Sequence, residues 1–374
     1  MSLSTQPYKG TRDFYPEDKR LQKWMFSKIR TVAESFGYHE YDAPVLEPIE
    51  VYLSKSSDEI VSEQTYSFTD RGGRNVTMRP EMTPSVSRMV AGRRQELTYP
   101  LRWYSIPNLW RYERPQAGRL REYWQPNVDL FGVAGIEGDH EVILVADAFL
   151  QAFGAKRDMY SIRLNSRLLI NEILNDYIDG PDEQVLAAIR LIDHKSKMPH
   201  EEFLEALSRL VPDGKHHDMV EVMSVKSFAD LPAKYQQHPS VGQLLNLKKL
   251  LAENGVTNIV DDLSLMRGFD YYTDIVFEIF DTHPDNNRAM AGGGRYDGLV
   301  AQFGVEAVPT VGFAMGDVTL QNFLELHDLL PKLGTETDAA VILIGDLYEK
   351  SQKILADLRS KGLNVSVDCT DRKL

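Results

Sequence analysis

A single cysteine, Cys369, occurs in 374 residues. One thiol excludes an intramolecular disulfide and a cysteine-based zinc site, and it fits a reducing compartment, with a small buried apolar residue as its expected role. Long apolar runs are missing as well. The longest, such as Ala339 to Ile344, are far too short to cross a bilayer, and no secretory h-region follows the first methionine. A soluble, cytoplasmic protein without a membrane partner is expected. Positive charge is also short: lysine plus arginine total 42 against 55 for aspartate plus glutamate, a net charge of −13. Such a surface repels nucleic acid on average, so DNA is not an expected partner and any RNA contact must be focused on local basic patches. The length exceeds what one core usually holds, which predicts two or three domains.

Against this acidic background, four arginines fall within Arg111-Tyr-Glu-Arg-Pro-Gln-Ala-Gly-Arg-Leu-Arg121. Leu101 to Trp110 is rich in aromatic and apolar residues, Pro115 and Gly118 mark a turn, and Leu120 to Val128 is extended again. A strand, a loop and a strand with arginines on both arms would suit a polyphosphate, whose charges need cations from several directions. A solvated charged face usually mixes lysine and glutamate instead. A second segment, Leu263 to Tyr272, is strand-like and holds Arg267, Gly268, Tyr271 and Tyr272. Arginine stays charged when desolvated and offers a planar fork of donors, so this reads as a site built to meet an anion. Gly292-Gly293-Gly294, within Ala291 to Gly298, would let backbone lie against a ligand. Taken singly, a glycine triplet is most often a loop, and an arginine near tyrosines a surface cation stacked on a ring.

Between these segments, Asp18 to Phe36 has helical spacing of Leu21, Trp24, Met25, Ile29, Val32 and Phe36, with Gly37 at its end, and Tyr38 to Leu46 alternates toward a strand. Arg167–Ile178, Glu183–Ile192, Glu201–Leu210 and Val241–Asn254 are helix-compatible, so residues 166–256 read as a helical insertion flanked by strand-rich segments. Residues 329–337 form a linker. Ala339–Ile344, Tyr348–Lys361 and Leu363–Asp368 then read as the strand, helix and strand of an incipient βαβ unit.

The string RYERPQAGRLREYWQ resembles motif 2 of class II aminoacyl-tRNA synthetases in its histidyl form. RGFDYYT and AGGGRYDGL resemble the two signature peptides of that family, KGTRDFYP its usual start, and RPEMT its amino-acid-binding peptide. The resemblance implies an α+β fold: an antiparallel β-sheet flanked by helices, a helical insertion, and the start of an α/β anticodon-binding domain. The catalytic domain would span 1–328, with motif 1 at about 20–50, motif 2 at about 101–132 and motif 3 at about 308–325; residues 338–374 would be an incomplete anticodon-binding domain. Because a parallel pair cannot bury both faces, the chain is expected to be truncated or fragmentary, or else naturally short. Motif 1 implies a homodimer.

By the same resemblance the chain is a histidine--tRNA ligase, using histidine, ATP with Mg2+ and tRNA(His), with no tightly bound cofactor. Arg267 and Arg111 would be catalytic on the α-phosphate, and Arg267 would also meet the histidine carboxylate. Glu113 would hold adenine, with Arg119 and Arg121 near the outgoing pyrophosphate. Glu81, Thr83, Gln125 and Asp129 would surround the α-amino end of histidine, and Tyr271, Tyr272 and Tyr296 its ring. No protein metal ligands are nominated. One departure stands out: after Val311-Gly-Phe-Ala-Met-Gly316, motif 3 normally continues to an arginine on the γ-phosphate, and Thr319 occupies that place. Threonine cannot replace a desolvated cation. The departure keeps a rival in view, a catalytically inactive paralogue serving as regulatory subunit of ATP phosphoribosyltransferase. A non-catalytic RNA-binding module is disfavoured by the acidic balance.

Overall fold

The structure, a computed structural model, describes residues 3–53, 64–116, 118–178, 180–195, 198–211, 214–266, 271–286 and 288–370. Arg267 and Gly268 lie outside the described residues. Two compact units divide the chain, residues 1–329 and residues 330–374.

The strands of the first unit are β1 (His39–Glu40), β2 (Leu46–Pro48), β3 (Tyr66–Thr69), β4 (Asn75–Met78), β5 (Leu101–Ser105), β6 (Asn108–Trp110), β7 (Glu122–Trp124), β8 (Asn127–Phe131), β9 (Tyr160–Ser166), β10 (Ile259–Asp261), β11 (Ile275–Asp281), β12 (Ala289–Arg295) and β13 (Thr310–Met315). Eight of them form one sheet in the order β1-β5-β8-β13-β12-β11-β9-β10. Its ladders are antiparallel except for the parallel outer pairs, β1 with β5 and β9 with β10. Side chains alternate across a strand, and on β8 the alternation puts Val128 and Leu130 in the core and Asn127 and Asp129 at the cavity. Val128, Leu130, Val311 and Phe313 are buried, and Phe313 meets Phe149 of helix Ile136–Ala152 at 5.5 Å. That helix buries Val142, Ile143, Val145, Ala146, Phe149 and Leu150. Asp129, Gly292 and Gly312, at intervening positions, line the cavity described below.

Helix Pro16–Ser35 starts two residues before the expected Asp18. Proline at the first helical position has no N–H to lose there, and the Asp18 carboxylate accepts the Tyr15 backbone N–H at 3.2 Å. Between β9 and β10 the chain forms helices Arg167–Tyr177, Asp182–Asp193, His200–Ser208, His216–Val222 and Pro239–Glu253. The Ser166 hydroxyl caps the first of these by accepting from Leu169 N at 3.4 Å.

Two expectations are revised. The extended arms 101–110 and 120–128 are each broken in two, because Pro107 and Pro126 cannot donate to a ladder. Their inner parts, β5 and β8, join the large sheet, whereas β6 and β7 pair as a separate ribbon. Leu263–Met266 and Tyr271–Asp274 are turn and loop rather than strand. The Asp262 carboxylate accepts from Ser264 N at 3.0 Å and Ser264 Oγ at 2.5 Å, which bends the chain just after β10. The glycine triplet lies within β12. A Cβ on Gly294 would stand 2.6 Å from Ile275 O and 3.0 Å from the Tyr272 ring, so only glycine admits this packing.

The second unit contains β14 (Ala339–Ile342), helix Tyr348–Ser360 and β15 (Val365–Asp368). The two strands pair in parallel, joined through the helix, with Leu355 and Val365 buried, whereas Cys369, expected to be buried, is exposed just beyond the end of β15.

Candidate active site

A cavity of about 1080 Å³, open mouth included, lies over β8, β12 and β13. Its floor is made of small residues, among them Ala289, Ala291, Gly292, Gly312 and Ala314. Around it stand Glu81, Thr83, Arg111, Glu113, Arg119, Gln125, Asp129, Tyr271, Tyr272 and Tyr296. Ten side chains nominated from five separate stretches of sequence thus surround one space. Arg121 is not among the lining residues. It lies 4.1 Å above the Tyr112 ring, and its guanidinium donates to Tyr8 Oη at 2.9 Å and Glu113 O at 3.1 Å. Arg121 therefore supports the loop from outside.

The polar end nearest Glu81 is built by the turn from β4 into helix Thr83–Gly92. Arg79 locks that turn. It is 2% exposed and donates to Asp42 at 2.7 Å, to Ala43 O at 2.5 Å and to Asn108 O at 3.0 Å. Pro80 O receives both Arg111 Nε at 2.9 Å and Tyr123 Oη at 3.0 Å. Glu81, buried, accepts from Tyr271 Oη at 3.2 Å. Tyr271 packs against Tyr272 and Tyr296, with ring centroids 4.8 and 5.7 Å away. Tyr296 Oη donates in a short bond to Asp129, which also receives Tyr41 Oη at 3.3 Å. Burial raises the Asp129 carboxyl and the two tyrosine hydroxyls pull it part of the way back, leaving it at about 7. A folded pKa above the ordinary carboxylate value costs stability progressively as pH rises from about 4 to about 7, because only the unfolded chain releases its proton there. A charged group recruited at such a cost suits a cationic partner.

At the other end, Glu113 pairs with Arg119 at 3.1 Å and approaches Arg111 to 4.0 Å. Burial opposes the charge of Arg111, but Tyr123, Glu81 and Glu113 outweigh it and raise its pKa. The loop carrying these groups turns at Gly118, whose φ of +75° favours glycine. Gln116 and Arg119 exchange backbone hydrogen bonds across that turn at 2.9 and 3.0 Å. Thr319 lines the same end and donates to Gly316 O at 3.1 Å, an ordinary helix first-turn contact.

Several contributors were not singled out from sequence. Tyr123 and Asn127 line the cavity within or beside the arginine-rich string, and Tyr41 reaches Asp129 from the short edge β1 region. Asp317 ties the amino-terminal peptide to β7 by accepting from Arg12 at 2.6 Å and Trp124 N at 3.0 Å. Arg295, in the glycine-rich peptide, is structural. Its guanidinium donates to Val133 O and Gly135 O, both at 2.9 Å, and to the buried Asp139 at 2.5 Å.

A mixed sheet with an antiparallel centre, flanked by helices and bearing an arginine-rich strand–loop–strand arm beside its cavity, defines a class II synthetase-like α+β fold. Solved structures carry the same architecture. A histidyl-tRNA synthetase from Nostoc sp. PCC 7120 superposes with a TM-score of 0.81 at 22% identity, covering 100% of this chain and 88% of that one. A Bacillus halodurans protein described as an ATP phosphoribosyltransferase regulatory subunit/histidyl-tRNA synthetase also gives 0.81, at 21% identity, with 100% and 96% covered. The sequence model for histidyl-tRNA synthetase matches residues 10–319. A histidine--tRNA ligase of Leptospira biflexa serovar Patoc is 40% identical over 378 residues, all of this chain and 86% of that protein. The chain belongs to the histidyl-tRNA synthetase family.

Proposed function

We propose that the protein is a histidine--tRNA ligase, which activates histidine with ATP to histidyl-adenylate and transfers histidine to tRNA(His). The observation that carries this is one cavity with two chemically different ends: buried Glu81 and Asp129 among tyrosines at one, and Arg111 and Arg119 around Glu113 at the other. The first end suits an amino acid, its ammonium toward Asp129, Glu81, Thr83 and Gln125 and its imidazole toward Tyr271, Tyr272 and Tyr296. A site that hydrogen-bonds its substrate rejects analogues lacking those groups far more strongly than an apolar pocket rejects a change of size. The second end suits ATP, entering as its magnesium complex with the ion carried on the β- and γ-phosphates.

In activation, a carboxylate oxygen of histidine attacks the α-phosphorus, the α–β bridging bond breaks, and pyrophosphate leaves. Little proton transfer is needed, so fixed positive charge on the phosphoryl oxygens is the main requirement. Arg111 would meet the α-phosphate, Glu113 the adenine amino group, and Arg119 the leaving pyrophosphate. Arg267 would complete the α-phosphate clamp and hold the histidine carboxylate. Arg121 would act on ATP through the backbone of Glu113. The homodimer, through helix Pro16–Ser35 and its following strand, and a cytoplasmic location belong to the same reading. So does assignment of residues 1–328 to a catalytic domain and 338–374 to part of an anticodon-binding domain.

Histidine-dependent exchange between ATP and pyrophosphate tests the activity. Robust exchange is expected; saturable histidine binding without exchange would favour the regulatory-subunit reading. The raised pKa of Asp129 gives a second test. Between pH 6 and 8 histidine binding should tighten about tenfold more in the unaltered protein than in Asp129→Asn, because the carboxylate becomes available through about pH 7. Comparison of the two proteins removes the titration of histidine itself. Equal pH dependence in both would remove Asp129 from the ammonium site.

A further inference from the structure

The end of the cavity beside Gly118 holds more positive charge than Glu113 can balance. Glu113 is already engaged with Arg119 at 3.1 Å and lies 4.0 Å from Arg111. A third cation, Arg288, is not itself a lining residue but stands beside that end, immediately before the lining residue Ala289, partly buried, and among the described residues no carboxylate forms an ion pair with it. Its stem packs against the loop turn. A Cβ on Gly118 would lie 3.0 Å from Arg288 Cδ, 3.7 Å from its Nε and 3.4 Å from Thr319 Cγ2, so the arginine stem and the threonine methyl flank one glycine. The backbone holds them there. Met290 O accepts from Gly316 N at 3.0 Å and from the Thr319 hydroxyl at 3.4 Å, which ties the start of β12 to the first turn of helix Asp317–Leu326.

Arg288 and Arg119 therefore flank the same loop turn closely enough for one charge to act on the other. Burial and the neighbouring Arg119 both work against the charge on Arg288, lowering its pKa, and Glu113 opposes them. An anion placed between the two guanidiniums would relieve that repulsion and use their planar donor forks. Thr319, in the same wall, offers a hydroxyl already turned to backbone carbonyls and brings no charge.

We propose that Arg288, together with Arg119, seats the terminal phosphate of ATP, supplying from the start of β12 the cation that the helix position Thr319 lacks. This rests on the reading of the cavity as an ATP site. The mechanism gains a division of labour. Arg111 would act where the α–β bond breaks, and Arg288 would fix the far end of the triphosphate, so that the β- and γ-phosphates leave along a set direction.

The test is binding of ATP and of AMP to the full chain by calorimetry, with exchange kinetics alongside. Arg288→Ala should weaken ATP binding roughly tenfold or more, the scale of a lost charge-assisted contact, while AMP binding stays unchanged. The KM for ATP in exchange should rise by a similar factor with the KM for histidine unaltered. Adding Thr319→Arg to Arg288→Ala should restore part of the ATP preference, since the new cation enters the same wall. Should the alanine variant fold poorly, Arg288→Gln keeps the stem against Gly118 and is judged by the same ATP-to-AMP ratio. An unchanged ratio, or equal loss of ATP and AMP, overturns the assignment. Absence of exchange in the unaltered protein overturns the enzyme reading instead, while the ratio still decides the role of Arg288.

Discussion

Arg111→Ala is expected to lower histidine-dependent exchange roughly 10²–10³-fold, the loss typical of removing one fixed donor from a developing oxyanion. Histidine binding measured directly should barely move. Arg111 is held by Pro80 O at 2.9 Å and lies 5.8 Å from the Tyr123 ring, beside the turn that carries Glu81, and on the assigned roles its free donors serve the phosphate while histidine is held by the carboxylates and tyrosines. Arg111→Lys should fail nearly as badly. A lysine carries the charge but cannot donate to Pro80 O and still present a second donor in the same plane. Exchange within threefold of the unaltered protein in either variant would remove Arg111 from the reacting phosphate.

The second large effect concerns folding. Arg295→Met should destabilise the first unit by about 3–5 kcal/mol at pH 7.5, as expected when one partner of a buried ion pair is removed. Arg295 is 5% exposed and Asp139 2%, and the variant also frees the carbonyls of Val133 and Gly135. The pH dependence has a definite sign. Burial already raises the Asp139 carboxyl and Arg295 counters it; without the arginine the carboxyl rises further. The penalty should therefore shrink as pH falls and Asp139 takes up a proton. Asp139→Asn added to Arg295→Met should recover much of the loss. Urea denaturation at pH 5.5 and 7.5 measures this, and a pH-independent loss would mean that packing rather than the unpaired charge dominates.

These two arginines show what the sequence could and could not disclose. Arg111 stood in a string whose aromatic residues, proline and glycine already implied an arm, a turn and an arm. Arg295 stood in an equally distinctive peptide, yet its job is to clamp the start of helix Ile136–Ala152, and no local pattern distinguishes a clamp from a ligand. Arg121 and Arg288 illustrate the same limit. Periodicity tells which residues share a face, but which face meets the cavity depends on partners far along the chain, such as Tyr8 for Arg121 and Gly118 for Arg288. The prolines at 107 and 126 were visible, and their effect on the ladder follows from the missing N–H. Their division of each arm between two sheets does not. Helices were the most legible elements because each needs only its own stripe, as in Arg167–Tyr177 and Tyr348–Ser360. The bend after β10 was missed because Asp262 acts through a local side-chain contact that competes with an apolar strand-like pattern.

The small-residue floor of β12 and β13 has a consequence for how this family could drift or be redesigned. Main chain, not rotamers, sets the depth of the chamber, since Gly292 and Gly312 have no side chains to reorient and the alanines carry only methyl groups. Sheet curvature therefore acts as a template beneath a ligand, with Met290 and Phe313 the larger side chains that β12 and β13 add to the lining. Altered substrate choice has to be written into the walls, at the tyrosines and carboxylates. A Cβ on Gly312 would stand 2.6 Å from Val128 O, so added bulk there presses on the neighbouring strand as well as on the ligand.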